Sequence, residues 1–327
     1  MVDLSQRWRG IHWECVFRRC VLLSALIGVS ACGAIKGMAL KGVASSLTGT
    51  GETITSHNDP DTIEGAIPFT LALYESLLAE LPKHEPLLTT TCGTYTQFAF
   101  GFIAAKGEAL QWDDFEEYKN LNERALRLAL RGKDYCWRGL EVRFKGATQA
   151  LMKDTASALR KAKRQHVPLL YWSAASLGAS ISAGGLNHPE LLNQWPTVRA
   201  LAERALALDE TWNHGALHEL MITVESQGDM LGGSEERARK HFARAVELQQ
   251  GLSPGPHVAL AMGVVKNNQN RAEFEKLMKE ALAMDPEKNP SQRLIVLITQ
   301  KRAKMLLAHI DDLFLAPAAR MSARFER

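Results

Sequence analysis

VRALAERALALDETWNHGALHEL, Val198 to Leu220, is the stretch whose reading decides the fold. Val198, Leu201, Ala202, Ala205 and Leu208 recur at steps of three and four, which places them on one face of a helix. Asp209 and Glu210 break the apolar pattern, and Trp212 opens a second helical run through Ala216, Leu217 and Leu220. The unit is a helix, a short turn and a helix. Neither helix buries its apolar stripe alone, so each needs neighbours of the same kind. Four further stretches repeat the pattern: Glu123 to Leu140, Ala243 to Leu260, Lys279 to Leu297 and, more weakly, Glu75 to Leu88. The alanines at 125, 205, 245 and 281 occupy equivalent places, 80, 40 and 36 residues apart. Such periods belong to helical-hairpin arrays, and the first interval has room for one degenerate copy. The expected fold is therefore all-α: a tetratricopeptide-like helical-hairpin solenoid with a long C-terminal capping helix, Gln292 to about Phe314.

Working outward, local signals set the other helices. Pro60 to Leu81 carries Ile67, Leu71, Tyr74 and Leu78 on one side, and a second helix runs from about Leu87 to Lys106. Asp113 with Glu116 resembles a capping box for a helix to Leu130, with Gly132 as its terminator and a new helix from Tyr135. Ala150 to Gln165 reads as one basic amphipathic segment. Val167 to Ala183 is an apolar helix ended by Gly184-Gly185. Ser234 before Glu235 and Glu236, and Asn270 before Glu273, read as N-caps.

The N-terminus reads as a targeting segment. Arg18 and Arg19 precede the apolar run Val21 to Val29, which is too short to span a bilayer comfortably, and small residues follow. Val29-Ser30-Ala31-Cys32 resembles a bacterial lipobox, in which Cys32 becomes the acylated first residue. Gly33 rather than Asp after it points, by resemblance to the enterobacterial sorting rule, to the outer membrane. Acyl chains anchor without a transmembrane helix. The expected division is a lipoprotein signal peptide over 1–31, a lipidated start, short helix and polar loop over 32–62, the helical domain over 63–316, and a frayed tail over 317–327.

Composition excludes several function classes. The net charge is +3, of which residues 1–31 supply +2, so a basic nucleic-acid surface is not indicated. Of five cysteines, only Cys92 and Cys136 lie beyond Cys32. The reading favours two buried free thiols, with a disulfide in an oxidising compartment as the alternative. There is no CxxC pair, no G-x-S-x-G elbow and no paired-carboxylate system, so neither a cofactor, a zinc site nor an enzyme is expected.

Several segments together resemble a known family: His166-Val167-Pro168-Leu169-Leu170-Tyr171-Trp172, then ERALALDETWNHGALHEL, GGSEERARKHFARAVEL, RAEFEKLMKEALAMDP and the closing QRLIVLITQKRAKMLLAHIDDLF. In that order and spacing they resemble the T component associated with TRAP transporters, a periplasmic lipoprotein of tetratricopeptide-like helix pairs. The resemblance spans about Cys32 to Phe314. It departs at Leu177-Gly178, where the family often has another Trp, and at Lys266-Asn267. It implies an often trimeric protein beside the solute-binding component of an ion-driven transporter, with a pore or cleft in each subunit. The competing expectation is a lipoprotein scaffold for envelope or outer-membrane assembly.

For a cleft that grips a small, partly apolar ligand or a partner, the candidates are Tyr135, Trp137, Tyr171, Trp172 and Trp212, set at or near helix starts. His218 and Glu219 are the polar candidates, with Glu225 about two turns on. His214 and His218, four apart, lie on one expected helix face, but Ile222 breaks the HExxH pattern and no metal site is expected. The basic run Arg160-Lys161-Lys163-Arg164 reads as a solvated face.

Overall fold

The computed structural model describes residues 38–49 and 51–315. The signal-peptide reading over 1–31, Cys32 and the tail over 317–327 lie outside them. Residues 38–48 form a helix of their own. From residue 51 on, the described residues are helices and turns without a strand, as the all-α reading expects. No helix among the described residues is long and apolar enough to cross a membrane.

Ten helices carry the architecture: α1 (Pro60–Glu80), α2 (Glu85–Gln97), α3 (Phe115–Arg143), α4 (Val167–Gly184), α5 (Trp195–Leu208), α6 (Ala216–Glu225), α7 (Glu235–Leu248), α8 (Gly255–Leu260), α9 (Arg271–Leu282) and α10 (Arg293–Ala308). Each helix from α1 to α9 packs on its successor. Contacts also skip one helix, α2 on α4, α6 on α8 and α8 on α10, so helices group in threes as well as in pairs. Three apolar clusters follow one another along the chain. The first is built on Leu71, Phe98 and Ile103, the second on Leu140, Leu170, Leu177 and Leu201, and the third on Val265, Phe274 and Leu306.

Local caps fall where short-range chemistry dictates. Ser234 accepts the Arg237 N–H at 3.3 Å, and Asn270 accepts that of Glu273 at 3.2 Å while its amide donates back to the Glu273 carboxylate at 3.0 Å. The cap of α3 is Asp114, one residue beyond the expected Asp113, accepting from Glu117 N–H at 3.0 Å. The basic segment at 150–165 divides, because Asp154 caps a fresh turn, Thr155–Leu159, through the Ser157 N–H. The polar loop over 48–62 contains a short helix, Gly51–Thr55.

Gly132 does not end a helix. It sits inside the 29-residue α3, which runs on through Tyr135 to Arg143. A Cβ there would stand 2.9 Å from the Tyr95 Cβ and 3.2 Å from the Cys92 carbonyl oxygen. The glycine therefore lets α2 lie directly against α3, and this tertiary contact outweighs its local cost to the helix. Next to that crossing Cys92 and Cys136, both fully buried, are joined by a disulfide with Cα atoms 5.4 Å apart, in place of the expected free thiols.

The C-terminal helix is shorter than expected and does more than cap an end. α10 stops at Ala308, and a separate turn, Ile310–Leu313, follows His309. α10 packs on α9 and also on α1 and the short helix Ala105–Leu110, so the last helix returns to the first elements. Arg302 forms a bidentate pair with Glu108 (2.6 and 2.9 Å), the Thr55 hydroxyl donates to the Ser291 carbonyl at 2.6 Å, and His309 stacks on Trp112 at 4.2 Å.

Candidate functional site

Three of the five aromatic candidates meet. The N-terminal turns of α4 present Tyr171 and Trp172, with ring centroids 4.9 Å apart and nearly perpendicular. Trp212 reaches them from another element, its ring 4.8 Å from that of Tyr171. All three rings keep part of their surface exposed while resting on the central apolar cluster. Two local features make the arrangement. Trp172 lies flat on the backbone of Gly93, where a Cβ would come within 2.7 Å of the indole. Trp212 does not open a regular helix: it begins a tight turn, Trp212–Gly215, in which Asn213, His214 and Gly215 have φ of 46°, 56° and 81°. Three consecutive left-handed residues reverse the chain before α6, and Gly215 packs on Leu248 at a distance no Cβ tolerates. His214 is thereby exposed in the turn and does not share a helix face with His218.

Glu219, the second polar candidate, reaches this group through its charge. It is partly buried on α6, and its charge acts on Tyr171, whose phenol is pushed up first by burial and second by that carboxylate. Burial also pushes the Glu219 carboxyl up, against a weaker opposing effect of the Gln249 amide, which donates at 3.4 Å. The carboxylate rests on Gly255, where a Cβ would fall 2.4 Å from its oxygen. Gln249, Gly93 and Gly255 carried no sequence signal, because each acts through a contact between distant helices.

His218 faces elsewhere. Consecutive residues on a helix point about 100° apart, so His218 and Glu219 serve different surfaces. The His218 Nδ1 lies 2.9 Å from the Nδ1 of His241, and its Nε2 lies 3.3 Å from Glu210, which Arg244 also holds at 2.6 Å. Two Nδ1 atoms at that distance share one proton, so at least one ring is neutral. Burial pushes both imidazoles down. The pair lines a shallow cavity of about 520 Å³ with Leu206, Asp209 and Glu225. Glu225, 2% exposed, is held by Arg199 (2.7 Å) and Arg237 (2.8 Å). Burial raises its carboxyl, but the hydrogen bonds from Arg237 and Arg199 outweigh that and hold it below the ordinary range.

Tyr135 and Trp137, in the C-terminal part of α3, rest on the same apolar cluster, but among the described residues their rings are not paired with Tyr171, Trp172 or Trp212. The Tyr135 hydroxyl donates to Glu75 at 2.9 Å, as does that of Tyr95 at 2.6 Å, and the two rings stack at 5.9 Å. Arg131 closes this network with two bonds to the same carboxylate, 2.6 and 2.8 Å. Trp137 has the Lys133 ammonium 5.9 Å above its ring. No group of three His, Cys, Asp or Glu side chains among the described residues is arranged to hold a metal ion.

With this geometry in place, comparison with known proteins locates the chain. Residues 56–314 match the family model described as TRAP transporter T-component. An uncharacterized protein of Treponema pallidum (strain Nichols) is 28% identical over 268 residues, covering 80% of this chain and 82% of the relative.

Proposed function

The chain belongs to the TRAP transporter T-component family, and on that premise we propose that it is the lipid-anchored periplasmic accessory component of a TRAP-type uptake system. It docks the solute-binding component and holds a small, partly apolar ligand on the surface made by Tyr171, Trp172, Trp212 and Glu219. The observation that carries the proposal is the extent of the family match, which covers nearly the whole helical array from residue 56 to residue 314.

The ligand surface is supported by three aromatic rings that meet and stay part-exposed, with the Glu219 charge acting on one of them, Tyr171, a composition suited to an apolar body with one polar end. The repeated helix pairs fit a tetratricopeptide-like array, which offers broad docking surfaces to a protein partner. Anchoring rests on Val29-Ser30-Ala31-Cys32, and the outer membrane as destination on Gly33. A homotrimer is part of the same proposal. Tyr135 enters it as a structural residue, because its hydroxyl is committed to Glu75.

The test is affinity capture of the tagged full chain from detergent-solubilised envelopes. Enrichment of a TRAP solute-binding protein is the expected result. Enrichment of outer-membrane assembly factors without any solute-binding protein replaces the proposal with the scaffold reading. Mass spectrometry of the captured N-terminus is expected to show acylated Cys32, and a different mature terminus removes the anchor.

A further inference from the structure

His218 on α6 and His241 on α7 meet in the wall of the 520 Å³ cavity, with ring centroids 5.1 Å apart. Their neighbours place the protons. Arg244 donates to Glu210 at 2.6 Å and holds that carboxyl below the ordinary range, so Glu210 is ionised and only accepts. The His218 Nε2, 3.3 Å from Glu210, therefore carries a proton. Its Nδ1 then offers a lone pair to the His241 Nδ1 at 2.9 Å, and the hydrogen between them belongs to His241. One more proton fits on the His241 Nε2 without loss of this bond. A second does not, because both Nδ1 atoms would then point a hydrogen at each other.

The carboxylates that face the pair are already matched. In the turn before α6, Arg164 holds Asp209 at 2.7 Å and Arg244 holds Glu210. On α5, Glu203 lies 3.4 Å from Arg199, and on α6, Glu225 has both Arg199 and Arg237. α7 itself adds Arg237 and Arg244, which oppose a further positive charge, and Glu247, which Arg244 holds at 2.8 Å. The turn Trp212–Gly215 brings His214, which is exposed. From α8, His257 faces the Phe242 ring and, 3.8 Å away, Glu280. Glu219 lies against Gly255. Two imidazolium rings in this place repel each other without a spare counter-charge.

We propose that His218 and His241 form an acid-released latch: uptake of the second proton breaks the Nδ1–Nδ1 bond, parts α6 from α7 and widens the cavity that both helices line. The latch is independent of the reading of Tyr171, Trp172 and Trp212 as a ligand surface. Burial holds both rings below the usual imidazole range. The stabilisation from their bond is therefore complete above about pH 6.5 and is lost as pH falls through the lowered folded values.

The experiment is hydrogen exchange of the full chain at about pH 7.5 and about pH 4.5, corrected for the pH dependence of the intrinsic rate. Exchange in 216–225 and 235–248 is expected to quicken by at least ~10-fold in acid, with α2 through α4 unchanged. His241→Gln, whose amide still forms hydrogen bonds and takes up no proton, is expected to lose that acceleration. No acceleration in the native chain, or an equal one in folded His241→Gln, overturns the latch. A titration of the imidazole nitrogens of the native chain by NMR needs no substitution. His218 and His241 are expected to titrate as a coupled pair with the second step well below about pH 6.5. Two independent titrations at the ordinary value overturn the shared proton and the latch with it.

Discussion

Reducing the Cys92–Cys136 bridge is expected to lower the free energy of unfolding by roughly 4 kcal/mol. The magnitude follows from the chain segment that the bridge closes. The cysteines are 44 residues apart in sequence. Loop-closure entropy for a ring of that size comes to about 13 cal/mol/K, or roughly 4 kcal/mol at 25 °C. Both cysteines are fully buried between α2 and α3, which pack on each other along their length, so reduction leaves the native contacts largely in place. The effect therefore lies mainly in the unfolded chain, which gains freedom when the link opens. The assay is urea unfolding followed by far-UV circular dichroism, with oxidised and reduced protein compared and free thiols counted in each. The reduced protein is expected to keep its helical signal in water and unfold at lower urea. Unfolding free energies within about 1 kcal/mol of each other refute the reasoning.

Other perturbations probe separate parts of the molecule. Gly132→Ala drives a Cβ to 2.9 Å from that of Tyr95 beside the same crossing, and is expected to cost about 1–3 kcal/mol in the same assay. Glu75→Gln weakens a carboxylate that accepts from Tyr95, Tyr135 and Arg131, with an expected loss of about 1–3 kcal/mol at neutral pH. Burial raises the Glu75 carboxyl, but those hydrogen bonds outweigh it and hold the folded value below the ordinary 4.5. Its stabilisation is therefore present above pH 4.5 and is lost as pH falls through the folded value, and Glu75→Gln flattens that part of an acid titration of stability. Arg302→Met breaks the bidentate pair with Glu108 that ties α10 to the N-terminal half. Hydrogen exchange in 105–110 and 293–308 is expected to quicken by about tenfold, with α4 and α5 unchanged.

Much of the fold was legible because it is written in short-range chemistry. The stripes of Val198, Leu201, Ala202 and Ala205 all proved fully buried, and Ser234 and Asn270 cap where their side chains can reach the next turn. What failed to show was set by contacts between distant residues. Gly132 has the local signature of a helix end, yet α2 requires a glycine there because its backbone lies too close for a side chain. The return of α10 to the Ala105–Leu110 segment brings Arg302 to Glu108, 194 residues away. The candidate site divides in the same way. Tyr171 and Trp172 are adjacent in sequence and adjacent in the site. His218 and Glu219 are also adjacent in sequence, but a helix turns them to different surfaces, so His218 joins His241 and Glu210 instead. Gln249 and Gly255 shape the Glu219 environment from other helices and give no pattern that a reading of the chain could follow.

The proposed role requires partnership with a solute-binding protein. It is tested most directly by measuring the binding of the membrane-extracted, full-length chain to the purified TRAP solute-binding component of the same organism, with biolayer interferometry as the readout. Saturable binding with Kd at or below about 10 μM is predicted. Absence of saturable binding up to about 100 μM, with both proteins folded, contradicts it.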